Sequence, residues 1–292
     1  MRLSWQERFA ESRGVLKCPQ RKQTIVPVLD FTIGGDEFIT IAGPCSVETE
    51  HQLMTTAHHV RSCGARILRG GAFKPRSSPY AFQGHGVEGL KMLNRARAAT
   101  GLAIVTEVMS ENDVPLVAEY ADILQIGSRS MENYTLLEAA AQSGRPILLK
   151  RGMVATLADF LRSAQVVLDN GNPNVILCER GIRTFETATR NTFDVAAIAL
   201  VKQISHLPII ADPSHAAGHR DLVPAFARIG VAAGADGIIV EVHPNPDKAW
   251  SDGDQSLTFA EFDEMMDSLD PYLQIRSSQA DERSEQALEA VG

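Results

Sequence analysis

The chain has 292 residues, 44% of them hydrophobic and 22% charged, with a formal charge of −8 and a pI near 5.5. That composition fits one large soluble domain or two small ones, and the acidic balance argues against a nucleic-acid partner, which favours a basic face. No apolar run approaches the roughly 20 residues of a membrane helix, and residues 1–10 carry Trp, Gln and Glu where a signal peptide is continuously apolar.

Residues 1–30 are mixed and polar, without strong periodicity. The run from Phe31 to Phe38 reads as a hairpin around Gly34-Gly35, suited to plugging the amino-terminal mouth of whatever follows. From about residue 37, apolar β-branched runs fall at 38–42, 66–68, 103–106, 123–126, 147–149, 175–178, 209–211 and 237–242. Amphipathic stretches at 88–99, 110–120, 134–142, 155–168, 192–204 and 221–232 lie between them, and one at 259–273 follows the last. Eight strands, each followed by a helical pattern, predict a closed (β/α)₈ (TIM) barrel. An open doubly wound sheet would use similar units, so the count of eight decides. No Gly-x-Gly-x-x-Gly follows the first strand, which disfavours a dinucleotide site. From about Ser277 the chain is polar and charged, an expected exposed tail. The organisation expected is an extension with a hairpin over 1–36, the barrel over 37–274 and the tail over 275–292.

Active sites of such barrels sit at the carboxyl ends of the strands. Reading only those positions gives two groups. Arg69, Lys74, Arg76, Arg129, Lys150 and Arg180 form a ring of cations, and six like charges aimed at one mouth are relieved only by anions. Their number points to substrates carrying more than one phosphate or carboxylate; taken singly, each could form a solvated salt bridge. Cys45, His215, Glu241 and Asp252 form the second group, a thiol, an imidazole and carboxylates suited to one divalent ion of the Mn, Fe, Co or Zn class. An inert buried Cys45 and a structural His215 are the ordinary readings of isolated residues, and His243 and Asp254 are close enough to compete as ligands. Asp212-Pro213-Ser214 is also a common turn opener. Lys150, beside other cations, could instead serve as a Schiff-base amine. The four cysteines, Cys18, Cys45, Cys63 and Cys178, form no CxxC pair, so a reduced, cytoplasmic protein is expected.

The blocks Ala42-Gly43-Pro44-Cys45-Ser46, Arg69-Gly70-Gly71-Ala72-Phe73-Lys74-Pro75-Arg76-Ser77-Ser78, Gly127-Ser128-Arg129, Lys150-Arg151-Gly152, Glu179-Arg180-Gly181, Asp212-Pro213-Ser214-His215 and Glu241-Val242-His243-Pro244 occur in one order over residues 37–272. Together they resemble the type I beta 3-deoxy-D-arabino-heptulosonate 7-phosphate (DAHP) synthases. The resemblance implies condensation of phosphoenolpyruvate with erythrose 4-phosphate, the first step of the shikimate pathway. It implies Cys45, His215, Glu241 and Asp252 as ligands of one divalent metal, which chooses Asp252 over Asp254. Arg69, Lys74, Arg129, Lys150 and Arg180 would bind phosphoenolpyruvate; Arg76 and Ser77 would grip the aldose phosphate. Lys74, Glu107 and Lys150 are the expected catalytic side chains. Ser128 stands where the family more often has alanine, and its backbone N–H can still serve as a substrate contact.

The related 3-deoxy-D-manno-octulosonate 8-phosphate synthases, which take arabinose 5-phosphate, resemble Lys-Ala-Asn-Arg-Ser-Ser in the loop after the second strand. Lys74-Pro75-Arg76-Ser77-Ser78 here favours the four-carbon aldose. About 35 residues precede the barrel, too few for the ferredoxin-like or chorismate-mutase domains of some relatives, so no built-in feedback inhibition is expected. A homotetramer or dimer is implied.

Overall fold

The computed structural model describes residues 4–74, 80 and 82–289, with side chains described to residue 278. The short helix α1 (Trp5–Arg8) is started by Ser4 and Glu7, whose side chains bond each other's backbone N–H groups in a capping box. Strands β1 (Val26–Val28) and β2 (Phe31–Ile33) pair antiparallel, with Val26 opposite Ile33. The expected hairpin is therefore present but lies one strand earlier. Its turn is Leu29-Asp30, with Leu29 in the left-handed region at φ 48°, and Gly34-Gly35 follow the second strand. Pro27 disguised β1 in the sequence; it is tolerated because it sits on an exposed edge.

Eight parallel strands then close into a barrel: β3 (Ile39–Gly43), β4 (Ile67–Arg69), β5 (Ala103–Glu107), β6 (Ile123–Ile126), β7 (Ile147–Lys150), β8 (Val175–Glu179), β9 (Ile209–Ala211) and β10 (Gly237–Glu241). Each pairs with its predecessor, and β10 returns to β3 with Gly237 opposite Ile39. The chain is a (β/α)₈ barrel with a short hairpin ahead of it. Outer helices are α2 (Glu50–Ser62), α3 (Val87–Thr100), α4 (Val114–Tyr120), α5 (Tyr134–Gln142), α6 (Leu157–Asp169), α7 (Val195–Ile204), α9 (Val223–Ala232) and α10 (Phe259–Glu289); the one-turn α8 (Pro213–Ala217) lies between β9 and α9. The stretch from Ser277, expected as a tail, continues α10 to Glu289.

Successive residues of a strand point to opposite faces, and this alternation sorts the core into two layers. Ala42, Leu68, Ile104, Leu124, Leu149, Leu177, Ala211 and Val240 point outward and pack under the helices. Ile39, Ile41, Ile67, Ala103, Val105, Ile123, Leu148, Ile176, Cys178, Ile210 and Ile239 point inward. Val26, Val28, Phe31 and Ile33 of the hairpin join this inward cluster, so the hairpin closes the amino-terminal mouth with apolar side chains. His206 ties the preceding segment down: its ring nitrogens lie 2.7 Å from the Thr24 hydroxyl and 2.7 Å from the Gly14 carbonyl.

Candidate active site

The inward phase, continued to the carboxyl ends of the strands, delivers Arg69, Glu107, Gln125, Lys150, Arg180, Asp212 and Glu241 to the opposite mouth. Period-two geometry aims them together, because each lies two residues beyond an inward-facing core residue. A cleft there is lined by Arg69, Lys74, Glu107, Ser128, Arg129, Lys150, Arg180, His215 and Asp252, among others. Of the expected site residues, Arg76 and Ser77 lie outside the described residues.

The mixed-ligand group converges. Donor atoms of Cys45, Glu241 and Asp252 lie within 4.8 Å of one another. Cys45 Sγ donates to Asp252 Oδ2 at 3.2 Å, and His215 Nε2 sits 3.6 Å from Glu241 Oε1. Asp212 caps α8 through the His215 backbone N–H and also holds His215 Nδ1 at 2.9–3.1 Å. The turn opener thus builds a helical turn that presents an imidazole. Burial lowers the His215 pKa against the pull of Asp212, which favours a neutral ring with its Nε2 lone pair toward Glu241. Glu241 Oε1 accepts no well-formed hydrogen bond among the described residues, although Arg69 Nη1 lies 3.1 Å away as an ion-pair partner. A lone pair and a carboxylate oxygen facing each other in a buried place suit a shared cation, beside the Arg69 guanidinium that already balances part of the carboxylate's charge. The donor set therefore fits a divalent ion, and the Asp212–His215 contact is the kind that orients a metal-binding imidazole.

The competing ligands are placed elsewhere. His243 Nε2 is 3.1 Å from Glu48 Oε2, and Asp254 is exposed in the turn beyond Asp252. Asp252 takes a left-handed φ of 49°, uncommon for aspartate, which directs its carboxylate toward Cys45. Burial disfavours its ionisation, yet Arg190 at 3.2 Å, with His215, holds it well below the usual carboxylate range. Burial, reinforced by Glu241, pushes the Cys45 thiol up to about 12.

The cations surround this group. Lys74 Nζ donates to Cys45 Sγ at 2.9 Å and to the Cys45 carbonyl at 3.0 Å. Gly71 makes room for it, since a Cβ there would lie 2.9 Å from Lys74 Cδ. Arg69 Nη1 is 3.1 Å from Glu241 Oε1, and Lys150 Nζ is 2.5 Å from Asp212 Oδ2. Arg180 is 5% exposed, and its Nε and Nη1 have no hydrogen-bond partner among the described residues. Burial depresses its pKa. A buried guanidinium with idle donors is a ready anion site. Glu107 lies amid Lys74, Lys150, Arg69 and Arg129, yet burial outweighs them and raises its pKa. Its carboxylate rests on the Gly127 backbone, where a Cβ would fall 2.0 Å from Oε1.

Sequence reasoning missed Gln125, Arg183, Arg190 and Asn191 on the cleft wall, and Gln255, which donates to Glu241 Oε2 at 2.7 Å. Gln125 carried a signal, being in phase with Ile123 on β6. Arg183, Arg190 and Asn191 sit on the loop after β8 and Gln255 in a one-turn 3-10 helix after Asp252, whose paths no periodicity sets. Arg151 and Glu179, one residue out of phase, face away from the cleft and pair with each other, and Arg151 also pairs with Asp194.

A model of the DAHP synthetase I family matches residues 16–275. The chain is 52% identical over 248 residues to the phospho-2-dehydro-3-deoxyheptonate aldolase of Thermotoga maritima, covering 85% of this chain and 73% of that one. It is 33% identical over 249 residues to the 2-dehydro-3-deoxyphosphooctonate aldolase of Syntrophotalea carbinolica, covering 79% and 89%. A truncated form of the Thermotoga maritima 3-deoxy-D-arabino-heptulosonate 7-phosphate synthase superposes with a TM-score of 0.85 at 46% identity, covering 91% of this chain and 98% of that one. With its barrel, its ligand cluster and its cation-lined mouth, the chain belongs to the DAHP synthetase I family.

Proposed function

We propose that this chain condenses phosphoenolpyruvate with erythrose 4-phosphate, giving DAHP and inorganic phosphate. The observation that carries the reading is the buried cation set of Arg69, Lys74, Lys150 and Arg180 beside the Cys45, His215, Glu241 and Asp252 cluster. Cys45, His215, Glu241 and Asp252 would hold one divalent ion, which when bound supplies Lewis-acid polarisation of the aldehyde oxygen. Arg180 and Lys150, with Arg69 and Arg129, bind the carboxylate and phosphate of phosphoenolpyruvate. They neutralise charge as C3 attacks the aldehyde carbon, water adds at C2 and phosphate departs. Holding the substrates face to face removes up to about 7–11 kcal/mol of barrier in well-oriented systems.

Two residues suit proton transfer. Lys74 can deliver a proton to the alkoxide formed from the aldehyde. Glu107, raised by burial and rimmed by ammonium groups, can take one from the water attacking C2. Arg76 and Ser77 are assigned to the aldose phosphate by resemblance to the family. The backbone N–H of Ser128 belongs to the substrate wall. A Schiff-base role for Lys150 fits poorly, because its nitrogen is engaged by Asp212. A reduced, cytoplasmic homotetramer or dimer belongs to the same reading; among the described residues no helix is long and apolar enough to cross a membrane.

The test is phosphate release from phosphoenolpyruvate with each aldose, with and without chelator. The reading expects turnover with erythrose 4-phosphate that chelation removes and a divalent ion restores. Preference for arabinose 5-phosphate would make the chain an octulosonate synthase. Borohydride trapping that persists under chelation would make it an imine-forming aldolase.

A further inference from the structure

The outer layer of the barrel carries a second group of metal-ligating side chains, separate from the mouth. His59 and Cys63 stand four residues apart at the end of α2, hence on one face. Asp263, in the second turn of α10, reaches across to both. Its Oδ1 lies 2.8 Å from His59 Nε2 and 2.9 Å from Cys63 Sγ, and those two atoms are 3.7 Å apart. We infer that His59, Cys63 and Asp263 form a second, surface-accessible site for a borderline-soft divalent ion of the zinc and cobalt class, clipping α2 to α10.

Three observations carry this. Donor chemistry comes first: one thiol, one imidazole and one carboxylate are the ligand types that zinc-class ions select, and three protein ligands leave a fourth position for water. Geometry is the second. Tetrahedral bonds of about 2.0–2.3 Å put ligand atoms roughly 3.2–3.7 Å apart. The His59–Cys63 separation already matches, and Asp263 needs to withdraw by less than about 1 Å, its hydrogen bonds giving way to metal bonds. The thiol proton leaves to solvent as sulfur binds.

The third is preparation of the ring and access to it. His59 stacks on Phe259 with centroids 4.1 Å apart and planes 7° from parallel, which fixes the direction of Nε2. The His59 and Asp263 side chains are 22% and 48% exposed, so an ion can enter without opening the core. Asp267, one turn further along α10, adds negative charge near the thiol.

The place in the fold gives such a site a consequence. Helix α2 follows the first barrel strand and α10 the last, so they flank the β3–β10 seam where the ring closes. Helix α10 packs mainly on α9 and only lightly on α2. A shared ion would fasten the seam across a segment of about 200 residues, which is where a cross-link restricts the unfolded chain most. The inference is independent of the reaction proposed above.

The test is titration of the metal-free full chain with Co²⁺ alone, reading stoichiometry and the thiolate-to-cobalt charge-transfer band. The Cys45→Ala protein should retain one equivalent with a thiolate band, and at a hundredfold excess over Kd its Tm should rise by about 4 °C. Cys63→Ala in an otherwise native chain should lose one of two equivalents and keep wild-type phosphate release when the mouth is loaded. His59→Gln, which preserves the α2 packing better, should weaken the same site at least tenfold. A Cys45→Ala protein with no thiolate band, or a Cys63→Ala protein with unchanged stoichiometry, would overturn the inference.

Discussion

His215 Nε2 and Glu241 Oε1 face each other at 3.6 Å, two electron-rich atoms in a buried mouth, with Arg69 Nη1 3.1 Å from the same carboxylate oxygen. An uncharged amide at position 241 would remove that demand. Glu241→Gln should bind the metal at least about 10–100-fold more weakly and lose most turnover, while phosphoenolpyruvate still binds; titration calorimetry with metal and substrate separately reads both. Arg180 presents the opposite case, a buried cation with idle donors. Its removal relieves desolvation in the ligand-free protein, so Arg180→Met should leave Tm unchanged or higher while raising KM for phosphoenolpyruvate at least about tenfold. A large fall in Tm with unchanged KM would mark Arg180 as structural. Gly127→Ala forces Glu107 off its seat, and a displacement of about 1 Å at a catalytic group can cost on the order of 10²-fold in kcat. Wild-type kcat in that variant would remove Glu107 from the proton chemistry.

Among the elements, the amino-terminal segment is held to the barrel by a short backbone bridge between Leu16 and Ser205 and by the His206 side chain. Burial lowers the His206 pKa, so the ring stays neutral, accepting from Thr24 and donating to Gly14. The unfolded chain binds a proton below about pH 6.5 and the folded one only at lower pH. The contribution of His206 is therefore intact above about 6.5 and is lost as pH falls toward the folded value. Tm measured from pH 7.5 to 5.5 should fall less steeply in His206→Gln than in the wild type; parallel curves would contradict this. The elements also show what the sequence can carry. All eight barrel strands lie within about two residues of their β-branched runs, because inward and outward positions are both apolar there. Helix α2 left no amphipathic mark, since its buried face includes Gln52 and Thr56 and its exposed face is rich in histidine. Pro27 masks the first hairpin strand in the sequence, and edge pairing tolerates it.

Across the whole molecule, net charge and local charge oppose each other: a chain of formal charge −8 gathers the buried Arg69, Lys74, Lys150 and Arg180 at one mouth. Strand phase explains why the cations on the strands and Glu241 were legible from the sequence, each standing two residues past an inward core position. Arg183, Arg190 and Asn191 were not, because the path of the loop after β8 is set by tertiary contacts, such as Asn191 donating to the His215 carbonyl at 2.7 Å. One metal ion and phosphoenolpyruvate are expected to meet at this mouth. Anomalous diffraction at the manganese edge, from crystals soaked with Mn²⁺ and phosphoenolpyruvate, tests it most directly. A peak within about 2.0–2.6 Å of ligand atoms of Cys45, His215, Glu241 and Asp252, with the substrate phosphate against Arg180, is the result expected. Manganese bound only elsewhere, or phosphoenolpyruvate bound away from the buried arginines, would contradict it.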